Sequence, residues 1–178
     1  MTQVSGGFAE LDLLPSIVAA VHATGYEEPS PIQAQAIPVI LAGHDMIGQA
    51  QTGTGKTAAF ALPILCRIDP DRKEPQALVL APTRELALQV ATAFETYAAQ
   101  MPGVRVVAIY GGAPMGPQLK AIRQGAQIIV ATPGRLCDHL RRDEHLLSTV
   151  HHLVLDEADE MLKLGFMEDL EVLEIFHE

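Results

Sequence analysis

The stretch Ala50-Gln51-Thr52-Gly53-Thr54-Gly55-Lys56-Thr57 is the strongest indicator of fold in this sequence. Its two glycines allow a tight turn in which successive backbone N–H groups point at a phosphate. Lys56 adds a mobile positive charge for the β and γ phosphates, and the Thr57 hydroxyl can hold Mg²⁺. The strict pattern asks for glycine where this chain has Ala50, so the flanking sequence has to decide.

The segments on either side of this phosphate loop fit a nucleotide site. Asp45-Met46-Ile47-Gly48-Gln49 is short and partly apolar, which predicts a strand, and Ala58-Ala59-Phe60-Ala61-Leu62 is strongly helix-forming. The mechanism needs this order of strand, loop and helix, because the N-terminus of the helix then faces the phosphates. The structural alternative is an ordinary Gly/Thr turn, and the rest of the chain weakens it.

Apolar runs and helical patterns alternate along the remaining sequence. Continuous apolar runs predict buried strands at 77–80, 104–109, 128–130 and 153–155. Helical spacing and capping residues predict helices over about 13–24, 31–42, 58–68, 84–99, 115–123, 135–147 and 161–178, the last interrupted at Gly165. The alternation predicts an α/β fold, a parallel sheet flanked by helices, with ligands bound at the carboxyl ends of the strands.

Composition narrows the class of protein. The 178 residues are 48% hydrophobic and include two cysteines without metal-ligand spacing, which indicates one globular domain with reduced thiols. A net charge of −10 argues against a broad basic surface for nucleic acid and against attraction to membranes. It permits a narrow groove that grips nucleic acid through backbone N–H groups and a few arginines. The sequence shows no signal peptide and no membrane span, so a cytoplasmic location is expected.

The first residues are expected to be poorly structured. Residues 1–7 are polar and glycine-rich, which predicts a flexible lead, and Phe8 is an isolated aromatic residue in that lead.

An acidic pair follows the last predicted strand. Asp156 can hold Mg²⁺, usually through the water shell of the ion, because Mg²⁺ dehydrates reluctantly. Glu157 can orient and deprotonate the water that attacks a γ-phosphate. Taken alone, the pair fits an acidic helix start equally well, since acidic side chains favour that position. Together with the phosphate loop, the catalytic interpretation is preferred.

Other polar residues suit adenine and nucleic acid. Gln33 offers an acceptor and two donors, which pair with N6 and N7 of adenine better than with guanine, although an exposed first-turn glutamine is the simpler alternative. Arg84 and Arg135 begin predicted helices, whose N-termini bind phosphate, and Gly111-Gly112 allows close backbone approach. These residues predict a sequence-independent track for a nucleic-acid backbone, with capping and turn chemistry as the alternative.

From Phe8 to its end, the chain resembles the N-terminal RecA-like domain of DEAD-box ATP-dependent RNA helicases, which has a P-loop NTPase fold. Alanine is normal at the first position of the phosphate loop in that family, so Ala50 agrees with the family pattern although it departs from the strict phosphate-loop pattern. The sequence of these motifs is most similar to that of bacterial members of the family, among them the cold-shock DeaD type. Seven motifs occur in the family's order: Phe8, the adenine-reading segment 25–33, the loop 50–57, Pro82-Thr83-Arg84-Glu85-Leu86-Ala87, Gly111-Gly112, Thr132-Pro133-Gly134-Arg135 and Asp156-Glu157-Ala158-Asp159.

The resemblance implies an ATP hydrolase that clamps single-stranded RNA through its backbone and locally separates duplexes. The implied cofactors are ATP and Mg²⁺, with Lys56 on the phosphates, Thr57 and Asp156 holding the ion largely through water, and Glu157 positioning the attacking water. The implied ATP-binding residues are Phe8, Tyr26, Gln33, Gln51, Thr52, Gly53, Thr54, Gly55, Lys56 and Thr57. The implied RNA-binding residues are Pro82, Thr83, Arg84, Gly111, Gly112, Thr132, Pro133, Gly134 and Arg135, and Asp159 belongs to an interdomain coupling network.

The chain also departs from the family pattern. The Ser-Ala-Thr motif expected beyond Asp159 is not reached by Glu178, and the second RecA-like domain is absent, so residues 8–178 are expected to be an incomplete, C-terminally truncated domain. In related folds the strand bearing that motif lies between the phosphate-loop strand and the acidic strand, so we expect a gap in the sheet or unusual packing. Unpaired strand edges favour association, so a dimer or a strand-exchanged assembly stays open.

Two other functions remain open on the sequence alone. One keeps the fold and changes the partner, which gives a DNA-dependent P-loop ATPase. The other is a non-catalytic scaffold that contacts partners or RNA through its edge. By itself the chain is expected to turn over ATP weakly or not at all, because an arginine finger supplied by a second domain contributes about 10³–10⁵ in rate to phosphoryl transfer.

Overall fold

The structure, a computed structural model, describes residues 7–175, with side chains described up to residue 171. It divides into two compact units, one formed by residues 7–68 and 93–102 and the other by residues 69–92 and 103–175. The α-helices of the described residues are α1 (Pro15–Ala23), α2 (Pro31–Leu41), α3 (Lys56–Arg67), α4 (Arg84–Tyr97), α5 (Met115–Arg123), α6 (Pro133–Leu140), α7 (Ala158–Lys163) and α8 (Met167–Ile175). The strands are β1 (Ala77–Leu80), β2 (Val106–Ile109), β3 (Ile128–Ala131) and β4 (His152–Leu155). None of these helices is long and apolar enough to cross a membrane.

The first unit is helical, and α2 packs against α3. Both α1 and α2 begin with proline, which is tolerated at the first helical position because its missing N–H would have no partner there. Phe8–Glu10 forms a 3-10 helix, and the Phe8 ring is only 1% exposed. The expectation that Phe8 belongs to a poorly structured lead is therefore wrong, because burying the ring orders this turn. The remainder of that lead, residues 1–6, lies outside the described residues.

The strand predicted immediately before the phosphate loop is absent. Residues 44–50 form neither strand nor helix, and the Ile47 side chain is 100% exposed. A strand persists only where a neighbouring strand pairs with its backbone N–H and C=O groups, and no described strand pairs with this segment. The prediction of a strand at 45–49 is therefore wrong, whereas the loop and the helix after it are confirmed.

The second unit contains a parallel four-stranded sheet with the order β2-β3-β1-β4. The central strands β1 and β3 are buried along their whole length, which explains their continuously apolar sequences. The edge strand β4 alternates between half-buried and exposed residues, and Leu153 and Leu155 are 49% and 45% exposed. The predicted parallel α/β fold is confirmed, with β2 beginning at Val106 rather than Val104.

One face of this sheet builds the core of the second unit. Leu78, Leu80 and Ile129 belong to a single cluster of buried side chains that also contains Leu136 and Leu140 of α6. Burial of these leucine and isoleucine side chains, each favourable by about 1.5–3 kcal/mol, fixes the position of α6 over the sheet.

The amino edge of the sheet is closed by a buried glutamine. Gln127, which is 0% exposed, precedes β3 and binds the loops that lead into β1 and β2. Its Oε1 accepts a hydrogen bond from the Arg105 N–H at 2.8 Å, and its Nε2 donates to the carbonyl oxygens of Pro70 and Gly103, both at 3.1 Å. These bonds give partners to backbone groups in the loops that precede β1 and β2.

At the carboxyl edge, backbone hydrogen bonds continue the ladders past the ends of the strands. Ala81 N–H donates to Ala131 O at 2.9 Å, Thr132 N–H to Ile109 O at 3.0 Å, and Asp156 N–H to Leu80 O at 2.9 Å. The three polar clusters that begin near residues 82, 132 and 156 are therefore anchored at one edge of the sheet.

Candidate nucleotide and nucleic-acid sites

The phosphate loop lies in the first unit and leads directly into α3. Gly53 and Gly55 have φ angles of 82° and 85°, a left-handed backbone that side chains with a Cβ rarely adopt. A Cβ at Gly53 would meet no atom within 4 Å, so space beside the loop is open to a ligand. The Thr54 hydroxyl donates to Gln51 O at 2.5 Å, which closes the turn. The first N–H groups of a helix have no intrahelical acceptors, so the start of α3 suits a phosphate.

Gln33 holds the phosphate loop from α2. Its side chain is 3% exposed; Oε1 accepts a hydrogen bond from Ser30 N–H at 2.9 Å, and Nε2 donates to Gly55 O at 3.2 Å. A Cβ at Gly55 would collide with Nε2, so only glycine permits this approach. The amide keeps one N–H and one lone pair for a ligand. Adenine reading by Gln33 stays a prediction, and its bond to the loop was not foreseen from the sequence.

The two aromatic residues predicted to bind ATP have different environments. Phe8 is buried at 1% exposure, so its ring faces belong to the protein interior. Tyr26 is 54% exposed and precedes α2, so its ring is accessible to a ligand. The accessible ring favours Tyr26 over Phe8 as a direct nucleotide contact.

The acidic motif lies in the second unit, after β4. The Asp156 side chain belongs to a residue that is only 8% exposed. Glu157 adopts φ 53° and ψ 49°, the left-handed conformation that is costly for residues other than glycine, and α7 begins at Ala158. Asp159 lies in the first turn of α7, where Lys163 Nζ contacts its Oδ2 at 3.5 Å.

The two predicted Mg²⁺ ligands, Thr57 and Asp156, carry oxygen donors. Within the described residues no three His, Cys, Asp or Glu side chains form a metal cluster. Mg²⁺ in nucleotide sites is bound by one or two protein oxygens, phosphate oxygens and water rather than by an all-protein cage. Thr57 of the first unit offers a hydroxyl and Asp156 of the second unit a carboxylate, each an oxygen donor of that kind, and Mg²⁺ binding by them stays a prediction.

A cavity of about 560 Å³ lies at the carboxyl edge of the sheet in the second unit. Most of the predicted RNA-binding residues line it: Pro82, Arg84, Gly111, Thr132, Gly134 and Arg135. Thr83, Gly112 and Pro133 neighbour these residues in sequence but are not part of the wall. Residues that the sequence did not single out complete it: Asp138, Arg141, Phe166 and Asp169. Three separate motifs are thus brought to one concave surface.

The two motif arginines are held by neighbouring groups. The Arg84 guanidinium lies 4.8 Å above the centre of the Tyr110 ring, a cation–π contact. The Arg135 side chain is 12% exposed, and its Nη1 donates to Ala113 O at 2.7 Å and to Gln118 Oε1 at 3.1 Å. Gln118 could have been found in the sequence only as a polar residue one helical turn before the buried Ile122, on the apolar face of α5.

Two titratable groups on α6 are shifted by burial. Desolvation, aided by the nearby positive charge of Arg135, lowers the pKa of His139, so the imidazole is neutral at pH 7. Desolvation, with the Asp169 carboxylate adding to it, raises the pKa of the Cys137 thiol to about 11. Cys66 and Cys137 are both free, as predicted, and Cys137 is fully buried.

Comparisons with known sequences point to one family. The profile of the DEAD/DEAH box helicase family matches residues 30–176. The ATP-dependent RNA helicase DeaD of Escherichia coli (strain K12) is 57% identical over 173 residues, which are 97% of this chain and 28% of that protein. The protein of the same name from Haemophilus influenzae is 54% identical over 166 residues, 93% of this chain and 27% of that protein. The chain therefore spans less than a third of the length of these relatives.

Solved structures show the same fold. A DEAD box protein from the hyperthermophile Methanococcus jannaschii superposes with a TM-score of 0.91 at 40% identity, over 97% of this chain and 47% of that one. The RNA-helicase Prp28 from Chaetomium thermophilum, bound to ADP, superposes with a TM-score of 0.86 at 44% identity, over 93% of this chain and 42% of that one.

Proposed function

Because the chain belongs to the DEAD/DEAH box helicase family, we propose that it is the ATP-binding, N-terminal RecA-like domain of an ATP-dependent RNA helicase. Together with a second RecA-like domain, it would couple ATP hydrolysis to local separation of RNA duplexes. The observation that supports this most directly is the cavity at the carboxyl edge of the sheet, where three motifs distant in sequence meet.

On the nucleotide, each predicted residue has a role that its chemistry permits. The loop residues Gln51 to Gly55 offer backbone N–H groups to the phosphates, and Lys56 adds its charge. Thr57 and Asp156 would hold Mg²⁺ through water, and a bound ion would supply positive charge against the phosphates. Glu157 orients the attacking water and accepts its proton.

On RNA, the second unit provides a surface for the backbone. Arg84 and Arg135 contact phosphates, and the exposed Gly111-Gly112 turn lets the chain approach closely. None of these contacts reads a base edge, so binding is independent of sequence. RNA rather than DNA is proposed because the relatives named above are RNA helicases. Asp159 would link ATP binding to the second domain.

Nucleotide binding tests the first half of the proposal. Calorimetry should give a Kd for ATP·Mg²⁺ that weakens at least roughly tenfold in Lys56→Ala. Gln33 also holds Gly55 O, so Gln33→Ala is expected to weaken both ATP and GTP, and the informative quantity is the ratio of the two affinities. That ratio should fall towards one in Gln33→Ala and stay unchanged in Gln35→Ala, an exposed glutamine on the same helix. Equal affinity of the unaltered chain for ATP and GTP would refute adenine reading.

Hydrolysis requires the second domain, so the chain is tested after fusion to the second RecA-like domain of the Escherichia coli relative. Single-stranded RNA should stimulate ATP hydrolysis, and Glu157→Gln should reduce the stimulated rate by roughly 10²–10⁴. Normal turnover in that variant would remove Glu157 from its role. Competition between RNA and DNA strands of equal sequence distinguishes an RNA helicase from a DNA-dependent ATPase, because only RNA offers a 2′-hydroxyl.

Three further expectations from the sequence remain predictions. These are the cytoplasmic location, the partnership with a second RecA-like domain of the same parent protein, and a dimer or strand-exchanged assembly of this chain.

A further inference from the structure

We propose that Gln118 is a positioning residue for RNA binding, because its single amide group sets the orientation of both motif arginines, Arg84 and Arg135. The inference rests on the proposed RNA-binding function of the cavity at the carboxyl edge. Gln118 itself does not line that cavity; it lies behind it on α5 and is 8% exposed.

The carbonyl end of the amide acts on Arg135. Gln118 Oε1 accepts from Arg135 Nη1 at 3.1 Å and lies 3.3 Å from His139 Nε2. Because Oε1 is an acceptor only, His139 carries its proton on Nε2 and donates as well. Arg135 Nη1 also donates to Ala113 O, so two of its five N–H donors are used inside the protein. These two bonds fix the plane of the guanidinium, and Arg135 is one of the residues that line the cavity.

The amino end of the amide acts on Arg84 through Tyr110. Gln118 Nε2 donates to Tyr110 O at 3.1 Å, which fixes the residue directly before the Gly111-Gly112 turn. The Tyr110 ring carries the Arg84 guanidinium at 4.8 Å. The glycines that follow Tyr110 have no Cβ to hold the turn by packing, and a Cβ at either would meet no atom within 4 Å. A hydrogen bond from α5 is therefore what orients Tyr110 and the arginine above it.

The chemistry of the position requires a neutral amide. Arg135 needs an acceptor at this point and Tyr110 O needs a donor, and glutamine offers both. Glutamate would place a negative charge against Arg135 and reduce the attraction of that arginine for a phosphate. Methionine would fill the volume but remove one acceptor from the Arg135 guanidinium, which keeps only its bond to Ala113 O among the two, and the α5 donor to Tyr110 O.

Binding of a fluorescein-labelled single-stranded oligoribonucleotide to the chain, followed by anisotropy, tests the inference. Gln118→Met should weaken binding roughly tenfold, because two arginine–phosphate contacts lose their fixed geometry. The matched control is Gln127→Met, which removes another buried glutamine with three hydrogen bonds but at the opposite edge of the same sheet. Gln127→Met should lower thermal stability comparably and leave RNA affinity within about twofold.

A double-mutant cycle separates positioning from general destabilisation. Lysine at both arginine positions, Arg84→Lys with Arg135→Lys, keeps the charge but not the planar fork that needs orienting. In that background Gln118→Met should cost less than about twofold in affinity. A full effect there, or an equal loss in Gln127→Met, would overturn the inference. If Gln118→Met does not fold, Gln118→Glu serves instead: it keeps the acceptor, loses the bond to Tyr110 O, and should weaken binding less once Arg84 is lysine.

Failure of the two proposals can be told apart. If the unaltered chain does not bind the oligoribonucleotide, the RNA-binding function is wrong. If the unaltered chain binds and folded Gln118→Met binds equally well, the function stands and the role of Gln118 is wrong.

Discussion

Glu157 is the residue where local energetics and proposed chemistry conflict most clearly. Its left-handed backbone costs a residue with a Cβ roughly 1–2 kcal/mol, yet it directly follows the hydrogen-bonded end of β4 and directly precedes α7. Strain of this kind persists where the surrounding structure imposes it, and it is frequent at functional sites. We infer that the backbone conformation aims the carboxylate, and that the stability lost at Glu157 is compensated by the burial around it.

The strain at Glu157 predicts an unusual order of stabilities. Asparagine tolerates the left-handed conformation better than glutamine does, so Glu157→Asn should be more stable than Glu157→Gln by roughly 0.5 kcal/mol. Urea unfolding followed by circular dichroism measures the difference. The control pair is Glu160→Asn and Glu160→Gln, within α7, where helix propensity favours glutamine and the order should reverse. If glutamine were the more stable residue at position 157 as well as at position 160, the Glu157 backbone would not be strained.

His139 predicts a pH dependence of stability. Its pKa is lowered in the folded protein, by burial first and then by Arg135; Asp138 opposes this shift, and Arg142 adds the smallest contribution to it. Protons therefore bind the unfolded chain more readily, and the contribution of the neutral imidazole is complete above the unfolded pKa of about 6.5 and is lost as the pH falls below it. Between about pH 8 and pH 5, urea unfolding of His139→Gln should depend less on pH than that of the unaltered chain. Identical profiles would contradict a buried neutral His139.

At the scale of elements, the edge strand β4 differs from the central strands because its leucine side chains are partly exposed to solvent. Leu153 pairs in register with Leu78, yet Leu78 is 1% exposed and Leu153 is 49% exposed. Lysine at Leu153 should therefore cost under about 1 kcal/mol, whereas lysine at Leu78 should prevent folding, because a charge there would be buried without a partner. Thermal denaturation compares the two variants.

The same strand predicts how the chain associates. β4 lies at the edge of the sheet that the described residues form. An edge strand is a template for another strand, and charged side chains on it prevent that pairing. Light scattering of concentrated samples should show less association for Leu153→Lys than for the unaltered chain. The comparison variant is Leu14→Lys, another partly exposed leucine, outside the sheet. Equal association of all three proteins would mean that β4 does not mediate it.

Helices and strands could be predicted from the sequence where neighbouring residues determine them, and not where a distant part of the chain does. The helix starts at Pro15 and Pro31 and the break at Gly165 follow from side chains and glycine conformations that are visible in the sequence. The strand expected at 45–49 failed because pairing requires a neighbour elsewhere in the chain, which a local pattern cannot reveal. The buried strand β1 shows the converse, since its continuous apolar run already implies neighbours on both sides.

At the scale of the whole molecule, the rule that ligands bind at the carboxyl edge of a parallel sheet was sufficient to predict that three polar motifs meet at one edge, while their role in RNA binding stays a prediction. It could not supply the groups that hold them. Gln118 of α5 bonds to Tyr110 O, and the Tyr110 ring contacts Arg84. Arg141 joins the cavity wall from the C-terminal end of α6. Each of these contacts depends on packing geometry rather than on a sequence motif. The residues predicted to contact a ligand lie in short sequence motifs, whereas the residues that hold them in place are scattered along the chain.

Net charge leads to the last prediction. The chain carries −10 overall, while the cavity at the carboxyl edge has three arginines (Arg84, Arg135 and Arg141) against two aspartates (Asp138 and Asp169). The proposed electrostatic binding of RNA is therefore expected to involve about three phosphates. For single strands the slope of log K against log salt is about −0.7 per phosphate, which predicts a slope near −2, shallower than the roughly −4 to −7 of a broad basic surface.

Arg141 should contribute least to this slope, because Asp138 Oδ1 already binds its Nη1 at 3.0 Å and RNA must compete with that ion pair. Titrations of a single-stranded oligoribonucleotide from about 50 to 200 mM salt measure the slope. Arg135→Ala should reduce its magnitude by about 0.7, Arg141→Ala by less, and Arg142→Ala, next to Arg141 but outside the wall of the cavity, should leave it unchanged. A slope steeper than about −4 would require cations beyond this cavity, and RNA would then bind another face of the molecule.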